Sequence, residues 1–429
     1  MKVLKSILIL LSIALPLSCS TSEKSEKSKP LVNLSHLDHL YEEILMQGDT
    51  VGIIHIYCEY PDYNWVGDDD EGIACVDDAA RAAILYVNEY KKTNAKEYLA
   101  KAEKLIAFIS KMQAENGYFY NFVWEDGSIN KEFKTSEPIA NWWSWRALWA
   151  LVEFRETIEG SNSGTLEDIE ESIAVIVANI KRDFSLKKTV QMINGFSRPD
   201  WLPFGTASDQ AALMVICLTK YSKFNDDPKI EEIVTNLCEG ISLMQEGKEN
   251  EFPHYALMSW ENVWHAWGNS QAYALLLAGE KFDKNEWIDS AINEIDHFYS
   301  YLIEEKYFNE FHLNQNDDNE LKKFPQIAYG IRPMVYASLQ AYKITNDEKY
   351  AVKAAKIAEW FFKQNPANAQ MYFPQSGIGF DGIINQDEVN KNSGAESTIE
   401  ALLSLSAIEE NKISSELLRE CLNSQNIIW

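Results

Sequence analysis

Four carboxylic acids stand at or near the starts of predicted helices: Asp78, Glu137, Glu261 and Glu396. Two carboxyl groups that face one another can act as general acid and general base. In cleavage of a glycosidic bond such a pair is about 6.5–9.5 Å apart for inversion and about 5–5.5 Å apart for retention. We therefore predict two catalytic residues among these four, without assigning acid and base. The alternative for each is structural, since Ser393-x-x-Glu396 has the form of a capping box and acids complement a helix N-terminus.

Asp77 and Asp78 are adjacent at one of these helix starts. On a helix, adjacent side chains point about 100° apart. We therefore expect one carboxylate to face a site and the other to cap the helix, rather than both facing the same group. Arg81 lies four residues after Asp77, which favours an ion pair.

Polar and aromatic residues near these acids are predicted to bind substrate. The chain has 13 tryptophans, and flat indole rings can stack on the apolar faces of sugar rings. Core packing, capping and structural ion pairs are the alternatives, and His254 and His265 are interpreted as structural. The predicted substrate-binding residues are Asp77, Arg81, Trp142, Trp143, Trp201, Asp209, Trp260, Asn269, Arg332, Asp381 and Asn392.

The elements that must position these residues are helices, because apolar residues recur at three- and four-residue spacings almost throughout. One strand-like segment is predicted at 52–60, and a short helical piece near 413–423. The predicted helices lie near 35–47, 76–92, 95–113, 137–159, 165–184, 206–223, 227–245, 262–279, 285–304, 327–345, 347–364 and 394–409.

The polar clusters fall at the start of every second predicted helix. Their leading residues are 52 to 72 positions apart, about the length of two helices with their loops. Six such hairpins predict an all-α (α/α)6 toroid, which forms a single domain over 35–429. The helices whose starts carry the polar clusters would form its inner ring. An open α-solenoid is the alternative. The leading residues are Asp78, Glu137, Asp209, Glu261, Arg332 and Glu396.

Several of these segments carry a family resemblance. They are VDDAARA at 76–82, SEP at 136–138, RALWAL at 146–151, FDG at 380–382 and NSGAEST at 392–398. Together they resemble the six-hairpin glycosidase superfamily, most closely a helical carbohydrate-active domain attached to some bacterial glycosyltransferases. The resemblance implies the toroid fold and carbohydrate chemistry. It does not fix the reaction, since the superfamily includes hydrolases, phosphorylases, lyases and epimerases.

The predicted function is an exported carbohydrate-active enzyme, a glycoside hydrolase that acts on an oligo- or polysaccharide. Two alternatives remain open. One is a sugar epimerase or polysaccharide lyase on the same barrel, and the other is a non-catalytic glycan-binding lipoprotein. The sugar, its linkage and the stereochemical outcome are not predicted.

The N-terminus has the pattern of an export signal. Lys2 and Lys5 precede an apolar run of about eleven residues, too short for a bilayer span of about 20. We predict a signal peptide at 1–18, lipidation of Cys19 and a flexible tether at 19–34, which would anchor the protein to a bacterial membrane by its lipid. A cleaved signal with an incidental cysteine is the alternative, and the membrane leaflet stays open.

Composition and motifs limit the classes of partner and cofactor that the protein is expected to bind. The net charge is −26, which opposes electrostatic binding of nucleic acid. The sequence has no C-x-x-C pair or nucleotide-binding motif, so we predict no metal and no cofactor, and we expect a monomer. A disulfide between Cys58 and Cys75 is a further possibility.

Overall fold

The computed structural model describes residues 29–160, 164–184, 187–315, 319–425 and 427. The predicted signal peptide, Cys19 and most of the predicted tether lie outside the described residues. A compact unit begins at Leu31. Leu31 is fully buried, and its amide donates to Glu409 Oε1 at 2.5 Å. The helical domain therefore begins before the predicted boundary at residue 35, and residues 31–34 belong to it rather than to a tether.

Helices dominate the described chain. A π-helical turn covers Glu294–Phe298, and 3-10 turns cover Lys134–Ser136, Ala328–Gly330 and Glu359–Phe361. In chain order the α-helices are α1 (Ser35–Leu40), α2 (Val76–Thr93), α3 (Lys96–Lys111), α4 (Trp142–Thr157), α5 (Gly164–Asp183), α6 (Ser208–Tyr221), α7 (Pro228–Leu243), α8 (Gln271–Phe282), α9 (Asn285–Asn293), α10 (Tyr299–Glu304), α11 (Arg332–Thr345), α12 (Glu348–Ala358), α13 (Ala395–Glu410) and α14 (Lys412–Ser424).

Short strands occupy the connections. They form antiparallel pairs and one three-stranded sheet, made by Val263–His265, Glu310–His312 and Glu320–Lys322. The strands are β1 (Tyr41–Met46), β2 (Asp49–Ile54), β3 (Tyr57–Glu59), β4 (Asn64–Val66), β5 (Ala74–Cys75), β6 (Phe122–Val123), β7 (Val190–Ile193), β8 (Phe196–Pro199), β9 (Gln245–Lys248), β10 (Glu251–Leu257), β11 (Val263–His265), β12 (Glu310–His312), β13 (Glu320–Lys322), β14 (Tyr372–Phe373), β15 (Ile378–Gly379), β16 (Gly382–Asn385) and β17 (Glu388–Asn390).

Six helices close into an inner ring. Helices α2, α4, α6, α8, α11 and α13 each contact the next in this order, and α13 contacts α2. Each is followed by an outer partner: α3, α5, α7, α9 with α10, α12 and α14. The predicted (α/α)6 toroid is confirmed, and ring closure between α13 and α2 excludes the open solenoid.

Burial follows this division into rings. The inner helix α2 buries residues on every side, among them Ala79, Ala80, Ala82 and Ala83, whose small side chains let neighbouring helices approach closely. The outer helix α3 buries a single stripe that includes Leu105 and keeps a charged face in solvent. An all-round apolar helix packs inside a protein, whereas a one-sided helix lies at its surface.

The two ends of the toroid differ in loop length. Four connections from an inner helix to its outer partner are turns of one or two residues, such as 94–95 and 346–347. The connections that lead into the inner helices are long and carry the strands. All long loops therefore gather at the N-terminal ends of the inner helices. We call this end the mouth, and long loops on a rigid scaffold are a common place for function.

Three predicted elements differ from the structure. The helix predicted at 35–47 ends at Leu40, because β1 and β2 follow as a hairpin. The helix predicted from 137 begins at Trp142, where the side chain of Asn141 caps it. The helix predicted from 262 begins at Gln271, because Val263–His265 pairs with β12. Glu137 and Glu261 therefore lie in loops.

Two further expectations concern cysteines and membranes. Cys58 and Cys75 are both buried and free, so the disulfide considered between them is not formed. In the described part of the chain, no helix is both long and apolar enough to cross a membrane.

Candidate active site

A cavity of about 300 Å³ opens at the mouth, between the first turns of α2 and α13. We call it the mouth cavity, and its volume is at the lower end of the range for small-molecule sites. The loops that carry β3, β5 and β6 supply its other walls. The polar residues that line it are Tyr57, Glu71, Asp77, Asp78, Arg81, Asn121, Asp381, Glu396 and Ser397.

The Arg81 guanidinium lies at the floor of the mouth cavity and binds carboxylates of two helices. It contacts Asp78 Oδ1 at 2.5 Å and Asp77 Oδ2 at 3.3 Å, both on α2. It also contacts Glu400 Oε1 at 2.8 Å and Glu396 Oε2 at 3.5 Å, both on α13. One buried cation thus ties together the two helices that close the ring.

The expectation that Asp77 and Asp78 face different groups is wrong. Both bind Arg81, because residues three and four positions apart lie on one face of a helix and the long arginine side chain reaches both. Neither is the N-cap of α2. Cys75 is the N-cap residue, since its Sγ accepts from the Asp78 amide at 3.3 Å, and it donates to Asp78 Oδ2 at 3.2 Å.

Two more arginines extend this ion-pair layer. Arg146 on α4 binds Asp77, and Arg332 on α11 binds Glu400 Oε2 at 2.5 Å. Both guanidinium groups are buried. Within the described residues, three buried atoms of this layer have no hydrogen-bond partner: Asp77 Oδ1, Arg146 Nε and Arg332 Nη1. Buried polar atoms are normally bonded, so this layer retains capacity for further hydrogen bonds.

Glu396 combines access to the cavity with a shifted pKa. Its side chain lines the mouth cavity and keeps 41% of its surface accessible. The cavity walls that surround the carboxyl desolvate it and raise its pKa to about 7. The Arg81 guanidinium opposes this shift, and the Asp78 and Glu400 carboxylates reinforce it. A carboxyl that titrates near neutral pH can both give and take a proton.

The capping box proposed for Ser393 and Glu396 is not formed. Helix α13 has Gly394 as its N-cap and no side-chain capping bond. The Glu396 carboxylate therefore lines the cavity instead of capping the helix. Gly394 is required there, because a Cβ atom would lie 2.4 Å from the Ile56 carbonyl oxygen.

Asp381 lies beside the start of α13 and is anchored on one side only. Its Oδ1 accepts from the Gly394 amide at 2.9 Å and from Ser397 Oγ at 2.7 Å. Its Oδ2 accepts no hydrogen bond from the rest of the described chain. Burial raises its pKa, and the two donors oppose that shift. Asn392 fixes this loop, since its carbonyl accepts from the Asp381 amide and its Oδ1 from the Tyr60 amide.

Sequence reasoning missed two acids of this region. Glu71 lines the cavity and accepts from Tyr57 Oη at 2.6 Å, and burial raises its pKa. Glu71 ends a run of four acids at 68–71, and nothing in the sequence distinguishes it from the other three. Glu400 was also missed, although its position four residues after Glu396 places it on the same face of α13.

Other predicted residues lie away from the mouth cavity in structural roles. Trp143 and Trp201 are buried, and each donates its indole N–H to a backbone carbonyl. Asp209 is buried against His265, with Oδ2 at 2.9 Å from Nε2. Thr206 does not cap α6 but accepts from the Glu261 amide.

The remaining predicted residues also lie outside the cavity wall. Glu137 and Glu261 are exposed in loops, and Trp260 lies beside His265. Trp142 lies under the Arg146 guanidinium at 5.5 Å. Asn269 is buried, and neither of its amide atoms has a partner in the described residues.

No group of histidine, cysteine, aspartate and glutamate among the described residues has the arrangement of a metal site. The mouth cavity offers carboxylates and the Arg81 guanidinium as its charged groups, together with the hydroxyl of Tyr57 and the amide of Asn121.

Known structures share this architecture. A sugar epimerase from a ruminal bacterium aligns over 88% of this chain and 95% of its own, with a TM-score of 0.62 and 12% identity. The shared fold is the (α/α)6 toroid of six helical hairpins. The cellobiose 2-epimerase of Spirochaeta thermophila aligns over 90% and 94%, with a TM-score of 0.59 and 12% identity.

Glycoside hydrolases share the six-hairpin fold with this chain as well. A family 76 glycoside hydrolase from a bovine Bacteroides thetaiotaomicron strain aligns over 90% of this chain and 79% of its own, with a TM-score of 0.59 and 9% identity. No protein-family model and no curated protein match the sequence. At these identities the likeness establishes the six-hairpin fold, and the reaction has to be argued from the mouth cavity.

Proposed function

We propose that this protein is a glycoside hydrolase that cleaves an O-glycosidic bond in the mouth cavity. The observation that carries the proposal is Glu396, a cavity-lining carboxyl whose pKa is about 7, with further carboxylates beside it. Protonated Glu396 is suited to protonate the leaving-group oxygen as general acid.

The second carboxyl of the reaction comes from the same wall. Asp78, predicted as a catalytic residue, has both oxygens bonded, to Arg81 and to Cys75, and its role is to hold Arg81. Asp381 is better placed to act on water, because Oδ1 is anchored and Oδ2 is left without a partner among the described residues. We propose Asp381 as the base or nucleophile. Glu137 and Glu261 have no part in this cavity.

The surrounding groups fit a sugar. Hydroxyl groups can bond to the Asn121 amide and the Tyr57 hydroxyl, and the ion-pair layer below has partnerless buried atoms at Asp77 and Arg146. Fold relatives named as sugar epimerases and as a glycoside hydrolase support a carbohydrate substrate. The predicted oligo- or polysaccharide substrate therefore stays our proposal.

Epimerisation is the second candidate, favoured by the epimerases among the fold relatives. An epimerase must move a proton at carbon. No histidine lies among the residues that line the mouth cavity, and its acid and base groups are carboxyls. This chemistry favours hydrolysis, which needs an acid and a base at oxygen.

The test is turnover of a glycan panel by the purified protein. New reducing ends measure hydrolysis, unsaturated uronates measure a lyase, and NMR of recovered sugars measures epimerisation. We expect new reducing ends, abolished by Glu396→Gln and by Asp381→Asn, and unchanged by Glu137→Gln as the exposed control. Epimer formation without new reducing ends would move the assignment to an epimerase. Binding without any turnover would leave a glycan-binding protein.

We also propose export and lipid anchoring, which rest on residues 1–19 of the sequence. The signal peptide at 1–18 would be removed and Cys19 acylated, and the folded unit would act as a monomer outside the cytoplasm. Labelling of cells with a fatty-acid analogue tests this directly. Wild type should be labelled and Cys19→Ala should not, whereas equal labelling of both would contradict the proposal.

A further inference from the structure

A second cavity, of about 430 Å³, lies inside the toroid at the end opposite the mouth. We call it the rear cavity. All six inner helices contribute to its wall, mostly through residues in their later turns. Ser406 on α13 is ten residues after Glu396, which corresponds to about 15 Å along the helix axis. The two cavities are therefore separate places in the molecule.

A layer of buried side chains divides the two cavities. The ion pairs from Arg81 through Glu400 to Arg332 cross the ring below the mouth cavity. Trp149, which lines the rear cavity, has its ring 6.0 Å from the Arg332 guanidinium carbon. A ligand in the rear cavity therefore touches none of the residues proposed for catalysis.

The wall of the rear cavity is aromatic and carries polar groups without partners. Tyr273, Tyr336 and Trp149 supply ring surface. The Asn88 amide and the hydroxyl groups of Tyr273 and Tyr336 are half-buried, and none bonds to another residue in the part of the chain that the structure describes. Such groups offer both donors and acceptors to a bound molecule.

The charged groups of this wall are already paired. Glu153 contacts Lys220 at 2.5 Å and Lys91 at 3.6 Å. Burial alone would raise the pKa of Glu153, yet the two lysines hold it at about 2. An ionic ligand would have to break such a pair, which is costly in a buried place.

The charged residues at the outer edge of the wall are also in ion pairs, but they are accessible to solvent. Glu410 contacts Lys92 at 3.2 Å, and Lys343 contacts Glu280 at 3.0 Å. The Glu410 and Lys343 side chains are 58% and 62% exposed, so the cavity can be reached from solvent past them.

We propose that the rear cavity is a second binding site, for a neutral polyhydroxylated molecule of mono- or disaccharide size. Ring faces suit the apolar faces of a sugar, and the partnerless amide and hydroxyls suit its hydroxyl groups. The charged residues that line the cavity, Glu153, Lys220, Lys343 and Glu410, sum to no net charge that would attract an ion. This site is independent of the proposed hydrolysis.

The test is binding of D-glucose, D-mannose, D-galactose and cellobiose to the intact protein, measured by saturation-transfer NMR and calorimetry. Glucuronate and glucosamine serve as charged probes of matched size. Glu396→Gln and Asp381→Asn change only groups of the mouth cavity and should leave rear-cavity binding intact. Asn88→Leu, which replaces the amide by an apolar group of similar size, should weaken binding of the neutral sugar about tenfold.

Tyr273→Phe removes only a hydroxyl and gives a second variant in case Asn88→Leu does not fold. Loss of neutral-sugar binding in either variant, together with weaker binding of the charged probes, supports the site. Binding that survives both rear variants, stronger binding of a charged probe, or no binding of any neutral probe would overturn it. Catalytic turnover is not the readout, so failure of the proposed hydrolysis would not affect this result.

Discussion

At the residue scale, Arg81 compensates buried carboxylates from two helices at once. Loss of its guanidinium leaves Asp78 buried without an ion-pair partner and leaves Glu400 paired with Arg332 alone. Breaking a buried ion pair from one side typically costs about 3–5 kcal/mol. We predict that Arg81→Ala lowers the free energy of unfolding by about that amount, as measured by urea denaturation.

The matched control is Arg182→Ala, on outer helix α5. The Arg182 side chain is 64% exposed and pairs with its neighbour Asp183, so its removal should cost less than about 1 kcal/mol. Equal effects of the two substitutions would show that the Arg81 layer does not hold the inner ring together.

Glu396 gives a second prediction at this scale, on pH dependence. Its pKa rises from an ordinary 4.5 to about 7 in the fold, so the folded state binds the proton more tightly. The contribution of this protonated carboxyl to the free energy of unfolding is therefore complete below pH 4.5 and is lost as pH rises through 7. We predict that Glu396→Gln is increasingly stable relative to wild type between pH 5 and pH 8, measured by thermal unfolding. A difference that does not change with pH would contradict the raised pKa.

The same titration bears on catalysis. A general acid must be protonated, so the proposed hydrolysis should decline as pH rises above about 7, the pKa of Glu396. A rate that is flat from pH 6 to pH 9 would exclude Glu396 as the acid. The pH–rate profile on a glycan from the panel measures this limb.

At the element scale, the π-helical turn Glu294–Phe298 places an acid in the core of the outer ring. Glu294 is fully buried, its Oε1 accepts from the Leu257 amide at 2.7 Å, and burial raises its pKa to about 8. We predict that wild type loses on the order of 3–5 kcal/mol of stability as pH rises from about 4.5 to 8, because the folded state must release this proton. Glu294→Gln should remove most of that loss in urea titrations at several pH values.

Glu286→Gln is the control for this element, since Glu286 lies exposed on the adjoining helix α9. It should leave the pH dependence of wild type unchanged. A Glu294→Gln profile that follows wild type instead would show that this carboxyl is not protonated in the fold.

The entry to α13 is a second element whose geometry can be tested. Gly394 approaches the Ile56 carbonyl so closely that a Cβ atom would lie 2.4 Å from its oxygen. We predict that Gly394→Ala costs about 1–3 kcal/mol by overpacking and reduces turnover, because the helix start that carries Glu396 must move. Gly67→Ala is the control, since the nearest atom to its added Cβ would be at an ordinary 3.4 Å. Thermal unfolding and the reducing-end assay measure both effects.

At the scale of the whole molecule, helix periodicity predicted the helices, and the polar clusters at the start of every second predicted helix predicted the two rings. The entry loops were harder to predict. Residues 263–265 form a strand only through pairing with β12, a long-range contact that no local pattern records. The site residues divide in the same way between helices and loops. Asp78, Arg81 and Glu396 stand on helices and were predicted, whereas Glu71 enters the cavity from a loop whose sequence carries no distinguishing pattern.

Closure of the ring gives the last prediction. In an open solenoid each repeat contacts only its neighbours, so removal of the last repeat leaves the others folded. Here α13 contacts both α11 and α2, and its Glu400 lies between Arg81 and Arg332. We predict that a chain ending at residue 392 has no cooperative thermal transition, because two arginines and the apolar faces of α2 and α11 lose their partners together. A circular permutant that begins at Asp387, with the old ends joined by a flexible linker, keeps every helix and should unfold in a single transition. A cooperative transition in the shortened chain would mean that five hairpins are stable without closure.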